Sequence, residues 1–541
     1  MDTKLAVLLS ILLVVGATSC KRQGSYKKQT RTHITDLAVG NDERAISDLR
    51  AFLKAHPDDT EALYGIALGL ALQGKPEQGL EFVHRALELG LPLERFLAGP
   101  RDINQALVEI PGFQALAKAH AETRLVKPGG EGRDPFGFRF YGLLLHGPLL
   151  GSITDSEARV WVRTREETTV EVALGTDRDA MGLVKASGRT DASRDFTTVV
   201  TVAGLEPDTV YFYQLTVAGQ TLAPVYRLRT FPRAGSPAKF HLVFGGGAGF
   251  NPQHERMWDV LHSQEALAFF SLGDNVYIDT PLVRSTQQYC YYRRQSRPEW
   301  RRFTAATPVY AIWDDHDFYT NDGRKMEGRP DDWKLPVWRT FRNNWNNPTY
   351  GFDEEHPGCF FKTSIANVDF FFLDGRYYRD REAGTHLGER QKRWLFDSLK
   401  ESKALFKVLC SNVPITPNVK PGSKDTWDGF PAEREELFTF LETEKIQGVF
   451  VLAADRHRSD AWRIERENGY PIHEFQSSRL TNVHKHKVLP GSLFGYNEKC
   501  SFGRLTFDTT AADPEVTYEV INIDNETVHH LTLKASQLKH P

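Results

Sequence analysis

Cysteine is scarce in this chain, five among 541 residues, and no two of them form a CxxC pair. That spacing argues against a zinc–thiolate site. Surplus charge is missing too, because 67 basic residues face 70 acidic ones for a formal net charge of −3. No broad basic field is available to hold nucleic acid, so no nucleic-acid scaffold role is expected. An acidic substrate group would have to be held locally, by metal or by a few arginines. Low-complexity tracts are absent, and beyond the first twenty residues no apolar run is long enough to span a membrane. What remains is a globular composition, 40% hydrophobic and 25% charged. The length suggests roughly two to four domains.

The N-terminus stands apart. Lys4 precedes an apolar run from Leu5 to Val15, after which Gly16, Ala17, Thr18 and Ser19 lead to Cys20. A short apolar segment ending in small residues reads as a secretory signal, too short to span a bilayer comfortably. The Ala17-Thr18-Ser19-Cys20 ending resembles a bacterial lipobox, which implies a lipoprotein signal over residues 1–20 and a membrane anchor on the lipid of Cys20. Lys21, not aspartate, follows the cysteine, so the expected product is exported, a periplasmic or outer-membrane lipoprotein. A plain signal peptide or uncleaved anchor with an incidental cysteine is the alternative. Cys290, Cys359, Cys410 and Cys500 could pair in an oxidising compartment or stay as buried thiols; composition does not choose.

Residues 33–124 carry helical periodicity. Ala45, Leu49, Phe52 and Leu53 share a face, and a stop follows at His56-Pro57-Asp58-Asp59. Thr60 is placed to cap a second helix carrying Ala62, Leu63, Ile66, Ala67 and Leu70, and a third runs from Glu77 to Gly90. Small residues at facing positions, with Pro-Asp between helices, resemble a tetratricopeptide (TPR) repeat; a generic helical hairpin is the alternative. Either one implies docking, with a protein partner as one outcome, rather than catalysis. After a linker at 127–132 the period becomes two. Short strand-like runs across 138–233, such as Ala158-Arg159-Val160-Trp161-Val162-Arg163, predict an antiparallel β-sandwich. Within it Leu205-Glu206-Pro207-Asp208-Thr209-Val210-Tyr211 resembles the corner of fibronectin III-like domains, where a tyrosine braces the turn into a core strand.

From residue 238 to 541 strand-like runs alternate with helix-like ones, and the strands repeatedly end in aspartate or histidine. Asp274 follows one run, Asp314-Asp315-His316 the next, then Asp374, then Asp455-Arg456-His457. In open α/β sheets, sites form at the carboxyl ends of strands. One such ending is usually a cap or turn, but four in one domain, two with histidine, point to a metal centre. Metal-assisted phosphoester hydrolysis uses two neighbouring cations to activate water and neutralise phosphoryl oxygens. Asp274 is the best candidate for a bridging ligand. Tyr277 reads either as a phenolate ligand for a trivalent metal or as a packing aromatic.

Leu272-Gly273-Asp274-Asn275-Val276-Tyr277, Trp313-Asp314-Asp315-His316-Asp317, Asp374-Gly375-Arg376-Tyr377-Tyr378-Arg379, Ala454-Asp455-Arg456-His457 and Glu474-Phe475-Gln476-Ser477-Ser478 occur in that order. The series resembles the alkaline phosphatase D (PhoD-like) family of calcineurin-like metallophosphoesterases over roughly residues 238–510. The resemblance implies an α/β/β/α metallophosphoesterase sandwich and thus a multidomain chain: TPR-like helices, fibronectin III-like sandwich, α/β domain. It also implies two metal ions, Fe3+ with Ca2+, with Zn2+ or Mn2+ as alternatives. Asp274 would bridge them, Tyr277 would bind iron, Asp315 with Asn321 would bind the second metal, and Asp455 and His457 would complete the shells. His316 would be the general acid or would hold the phosphoryl group. Arg376 would orient phosphate, unless a salt bridge to Asp374 or Asp317 claims it.

The chain departs from the family at the first strand. Phe244-Gly245-Gly246-Gly247-Ala248-Gly249 stands where the family places a cysteine. His254 and Glu255 are candidate replacement ligands or, equally in type, solvated helix-start residues. The aromatic and arginine-rich stretches Tyr289–Arg302 and Trp333–Trp345 would line a substrate groove or form a helical cover. The expected function is a secreted, lipid-anchored phosphoesterase acting on phosphomonoesters, phosphodiesters or both. A phospholipase D-like phosphodiesterase and a noncatalytic binding lipoprotein with a degenerate site are the alternatives, the latter motivated by the glycine loop.

Overall fold

The structure, a computed structural model, describes residues 31–125, 143–324, 326 and 328–541. The lipobox and Cys20 lie outside these residues. Among them no helix is long and apolar enough to cross a membrane.

Helices come first: residues 31–38, then Asp42–Ala55, Thr60–Leu72, Pro76–Glu88, Glu94–Ala98, Arg101–Val108 and Pro111–Leu125. Asp59, not Thr60, caps the helix at Thr60–Leu72, its carboxylate accepting from Ala62 N at 2.8 Å. A short acidic side chain one residue earlier satisfies the exposed N–H and complements the helix dipole. The small residues of this helix serve packing. A Cβ on Gly65 would sit 2.7 Å from the Leu49 side chain, and one on Gly69 would sit 2.7 Å from that of Ile46.

Seven strands follow: β1 (Leu144–Gly151), β2 (Glu157–Thr164), β3 (Thr169–Gly175), β4 (Val184–Arg189), β5 (Thr197–Ala203), β6 (Val210–Val217) and β7 (Gln220–Arg229). They form two antiparallel sheets, ordered β1-β2-β5 and β4-β3-β6-β7. The tyrosine brace expected at the corner is present, with Glu206 N donating to Tyr211 Oη at 2.9 Å.

The remaining strands build two larger sheets. One contains β8 (Lys239–Gly245), β9 (Phe269–Leu272) and β10 (Val309–Ile312), extended by β18 (Ser501–Asp508), β19 (Glu515–Asn522) and β20 (Thr527–Lys534) in the order β10-β9-β8-β18-β19-β20. The other contains β11 (Phe361–Ile365), β12 (Val368–Phe372), β13 (Phe406–Cys410), β14 (Val449–Ala453), β15 (Ser459–Ile464), β16 (Ile472–Ser477) and β17 (Phe494–Tyr496), ordered β11-β12-β13-β14-β16-β15-β17. Period-two alternation decides what each aromatic does. Phe270 faces Phe370 and Phe372 of the opposite sheet at 4.9 and 4.8 Å, whereas its neighbour Phe269 faces Trp258 and Phe303 of the flanking helices. Phe507 on β18 likewise meets Phe370, Phe406 and Phe450. An aromatic layer thus welds the two sheets, and β8, β9, β10, β12, β13 and β14 direct their carboxyl ends toward one rim.

The arginine-rich stretches are a cover. Helices Arg284–Gln295, Pro298–Thr304 and Lys334–Asn344 turn most of their polar residues inward. Tyr289 Oη donates to Glu61 Oε2 at 2.8 Å, which also receives Arg95 Nη2 at 2.8 Å. Arg163 Nη1 donates to Gln295 Oε1 at 2.6 Å, and Arg163 pairs with Asp195 at 3.0 Å. Of the cover's own arginines Arg301 pairs with Glu94 of the N-terminal helices at 3.5 Å, while Arg294 and Arg302 pair with Glu255 and Asp259, so carboxylates of the protein neutralise these cations. All four described cysteines are buried and none forms a disulfide.

Candidate metal centre

Gly273 sets the first half of the centre. Its φ is +105°, and a Cβ there would lie 2.6 Å from that of Asp314, so the β9 and β10 ends meet only through glycine. Asp274, Tyr277 and Asp279 follow at φ 55°, 55° and 53°, and Asp455 and His457 adopt φ 67° and 45°. Left-handed backbone at non-glycine residues costs on the order of 1 kcal/mol or more each and is retained where the surroundings enforce it. Asp317 is what enforces it here. Its carboxylate accepts Asn275 N at 2.9 Å, Asn275 Nδ2 at 2.8 Å and Val276 N at 3.0 Å. Burial raises its pKa to about 6, against those hydrogen bonds.

Asp274, Asp315 and His316 each bring one ligand atom within 4.8 Å of the others. Asp274 Oδ1 is buried and receives no hydrogen bond, as does Oδ2 of neighbouring Asp314. Burial, joined by the charges of Asp315, Asp314 and Asp317, pushes the Asp274 carboxyl well above its ordinary range despite the opposing charge of His316. Buried oxygens without donors amid like charges are the electrostatic signature of a cation site, and the residues fit one. Tyr277 lies over His316, rings 4.3 Å apart, with its hydroxyl accepting from Asn482 Nδ2 at 2.6 Å. Burial and Asp274 raise the Tyr277 phenol well above its usual pKa, so it is a neutral phenol unless a strongly acidic metal deprotonates it.

His316 is oriented by a residue the strand-end pattern did not flag. Its Nδ1 meets Asp279 Oδ1 at 2.5 Å, and Asp279 Oδ2 meets Arg31 Nη1 at 2.6 Å. Arg31 Nη1 also donates to Tyr277 O at 2.5 Å. Burial depresses the imidazole pKa, but Asp274, Asp315 and Asp279 outweigh it and raise it to about 10. With its Nδ1 held by Asp279, His316 is placed to donate a proton at the centre. Arg31→Ala is expected to lower kcat about 10-fold with little change in KM, as for loss of an outer-shell partner, and Arg31→Lys to restore part of it. Steady-state kinetics check this; equal kcat in all three proteins refutes it.

Two expectations are corrected. Arg376 does not face a substrate space. It is wholly buried, with Nε donating to Asp314 Oδ1 at 2.5 Å and Nη1 and Nη2 donating to Asp425 at 2.8 and 3.1 Å. The salt-bridge alternative holds, with Asp314 and Asp425 as partners; Asp374 meets Arg376 through the backbone N–H of that residue and also accepts from Tyr377 N, Cys359 N and Trp313 Nε1. Asn321 is exposed, and Asp322 takes its expected place: its N–H donates to Asp315 Oδ2, and its carboxylate groups with Asp315 and Asp425 within 4.8 Å. That second group is already neutralised, because Asp425 carries Arg376, Arg379 and Lys420. Charge therefore places the stronger cation demand at Asp274.

Asp455 joins through Lys420, whose Nζ lies 3.6 Å from Asp455, 3.3 Å from Asp425 and 2.8 Å from Asp322. Burial pushes the Asp455 carboxyl up, but Lys420 and Arg456 outweigh it and hold it below its ordinary pKa. The glycine loop runs between Asp274 and His457. Gly247 N donates to Gly273 O at 3.2 Å and Ala248 N to Asp274 O at 2.8 Å.

Residues 242–499 match the PhoD-like phosphatase family along their whole span. This segment is similar to PhoD-like phosphatases. Residues 142–235 match a domain of unknown function, DUF7800. Alkaline phosphatase D of Bacillus subtilis (strain 168) is 25% identical over 307 residues, 47% of this chain and 52% of the relative. The chain thus spans about half the length of that curated relative. A solved structure of PhoD superposes with a TM-score of 0.59 at 18% identity, covering 74% of this chain and 94% of that one. Purple acid phosphatase PPD1 from yellow lupin superposes with a TM-score of 0.54 at 13% identity, covering 72% and 75%. These two likenesses speak to the fold alone.

Within the matched segment the glycine loop admits no side chain. Gly247 has φ +66°, and a Cβ there would lie 2.1 Å from Ser478 O and 3.2 Å from His457 Nδ1. Gly247→Ala is expected to destabilise the protein by about 1–3 kcal/mol, read as a lowered Tm; an unchanged Tm would show that the loop can open to a ligand-bearing residue. Neither candidate replacement is a ligand by geometry. Glu255 is buried against Arg294 at 3.0 Å and Trp258 Nε1 at 2.9 Å, and His254 Nδ1 meets Thr481 O at 2.9 Å. Two histidines beside His457, His484 and His486, were not signalled by any strand end; they lie on the segment after β16. Burial, Arg456 and His484 lower the His486 pKa to about 4, so its ring is neutral.

Proposed function

We propose that the protein is a metal-dependent phosphoesterase, exported and lipid-anchored at Cys20, which hydrolyses phosphomonoesters, phosphodiesters or both. The observation that carries this is Asp274 Oδ1, buried without a donor beside Asp315 and His316. The name of the Bacillus subtilis relative, alkaline phosphatase D, supports a phosphoester substrate. In this reading the chain divides into a TPR-like helical unit (33–124), a fibronectin III-like sandwich (138–233) and the phosphoesterase domain (238–541).

Asp274, Tyr277, Asp315, Asp455 and His457 would hold two cations, proposed as Fe3+ and Ca2+ with Zn2+ or Mn2+ as alternatives. When bound, such a pair supplies Lewis acidity and a water acidic enough to attack phosphorus at neutral pH. The chain's own residues do the rest. His316 donates a proton to the leaving-group oxygen, and Asp279 and Arg31 fix the plane of its ring. Asp317 holds the Asp274 loop in its left-handed path. Arg376 balances the charge of Asp314, so that the carboxylates at the rim can be crowded without a cation for each.

The test uses p-nitrophenyl phosphate and bis-p-nitrophenyl phosphate, before and after chelation and with iron, calcium, zinc or manganese returned. Turnover of at least one ester should vanish on chelation and return with metal. No metal-dependent turnover, together with no bound metal by elemental analysis, would favour the noncatalytic reading instead.

A further inference from the structure

Beside the glycine loop sit three histidines, two of which have no part in the chemistry above. His457 follows β14, and His484 and His486 lie on the segment that passes alongside it. Ring centroids are 5.2 Å apart for His457 and His484, 5.3 Å for His457 and His486, and 4.7 Å for His484 and His486. The ring planes cross at 89°, 76° and 90°, so the imidazoles meet edge to face and do not stack. His484 Nε2 and His486 Nε2 lie 2.9 Å apart. Two nitrogens at about 2.0–2.1 Å from one tetrahedral cation are roughly 3.3–3.4 Å apart, so about half an ångström of opening would let this pair share one. His457 would have to turn in, because the three rings do not bring one nitrogen each within the 4.8 Å spacing that Asp274, Asp315 and His316 reach. His486 Nδ1 is buried and has no hydrogen-bond partner.

The histidine segment is also pinned to the metal centre. His484 N donates to Asn482 Oδ1 at 3.0 Å, and Asn482 Nδ2 donates to the Tyr277 hydroxyl at 2.6 Å. Asn497 Nδ2 donates to His486 O at 2.6 Å, fixing the segment from its other side. On the far side of His457 lies Gly247, whose absent Cβ would be 3.2 Å from His457 Nδ1. The loop that brings no ligand and the segment that brings two imidazoles therefore flank the same ring.

We infer that His484 and His486 join His457 as nitrogen donors to one cation of the metal centre, in place of the ligand the glycine loop cannot present. This rests on the metal-dependent reading above and deepens it. Imidazole suits zinc, iron, copper and nickel, whereas calcium takes oxygen ligands, so this position selects a transition metal.

Metal-stripped protein is reloaded with Co2+, and bound metal is counted by elemental analysis after gel filtration while the ligand-field absorption of cobalt is recorded. Wild type is expected to retain two equivalents, and His484→Ala/His486→Ala to lose one of them or to bind it at least 10-fold more weakly, with a changed visible spectrum. The single variant His484→Ala, which alters an exposed side chain, should weaken the same equivalent. Lys485→Ala/Lys487→Ala, on the same segment, should bind both. Two equivalents with an unaltered cobalt spectrum in the double histidine variant overturn the inference and leave the metal centre standing. The same metal count with weakened inhibition by inorganic phosphate would also overturn it, and would assign the histidines to anion binding. Wild type that retains no cobalt, zinc, iron or manganese overturns the metal-dependent reading itself.

Discussion

Asp274→Asn is expected to abolish tight metal binding and to lower kcat/KM by about 10³-fold or more, the several kcal/mol that a Lewis-acid pair contributes to a phosphoryl-transfer transition state. The same change should not harm the fold. Asp274 sits in a buried group of like charges with one oxygen receiving no donor. Removing its charge relieves repulsion, so the metal-free variant should melt at or above the temperature of metal-free wild type. Wild type should gain thermal stability when metal is added, through binding to the native state alone. The variant should not. Melting curves with and without metal, beside kinetics, separate lost chemistry from lost structure. A variant that still gains stability from metal, or keeps wild-type kcat/KM, would remove Asp274 from the centre.

Arg376 has the opposite profile. Arg376→Met is expected to cost about 3–5 kcal/mol of stability, because it strands Asp314 as a buried charge and takes from Asp425 one of its cations, Arg379 and Lys420 remaining. Arg376→Lys should recover only part, since a single ammonium cannot span both carboxylates as the planar fork does. Asp314→Asn in the Arg376→Met background should restore some of the loss, which makes the pair's coupling measurable as a double-mutant cycle. Denaturant or thermal unfolding checks these values. An Arg376→Met protein of native stability with a raised KM would return Arg376 to phosphate binding.

These two residues show what was legible in the sequence. Asp274, Tyr277, Asp315 and His316 were legible because strand ends are local: a β-run followed by Gly-Asp fixes where the carboxylate emerges, and the structure gathers these four. The strand runs themselves were read within a residue or two. Arg376 and Asn321 were misplaced because a motif gives position along the chain, not the direction of a long side chain or which of two adjacent residues turns inward. Asp279 and Arg31 could not be paired from sequence, since nothing local links residues so far apart. The histidines at 484 and 486 lie on irregular chain without a period to mark them. Of the arginines of 284–304, Arg301 pairs with Glu94 of the N-terminal helices, a partner no local pattern signals, whereas Arg294 and Arg302 pair with Glu255 and Asp259 nearer in sequence.

The Arg31 contact has a geometric consequence for where the enzyme can work. Cys20 precedes Arg31 by eleven residues, and a fully extended chain advances at most about 3.3–3.6 Å per residue. With the proposed lipid on Cys20, Arg31 could stand no more than roughly 40 Å from the bilayer surface. On the proposed anchoring the helices would not act as a stalk that holds the site away from the membrane, because Arg31 in their first turn already meets Asp279 there. Such a leash would confine the reachable substrates to a thin layer along the membrane, and removing it should widen that range without touching the chemistry.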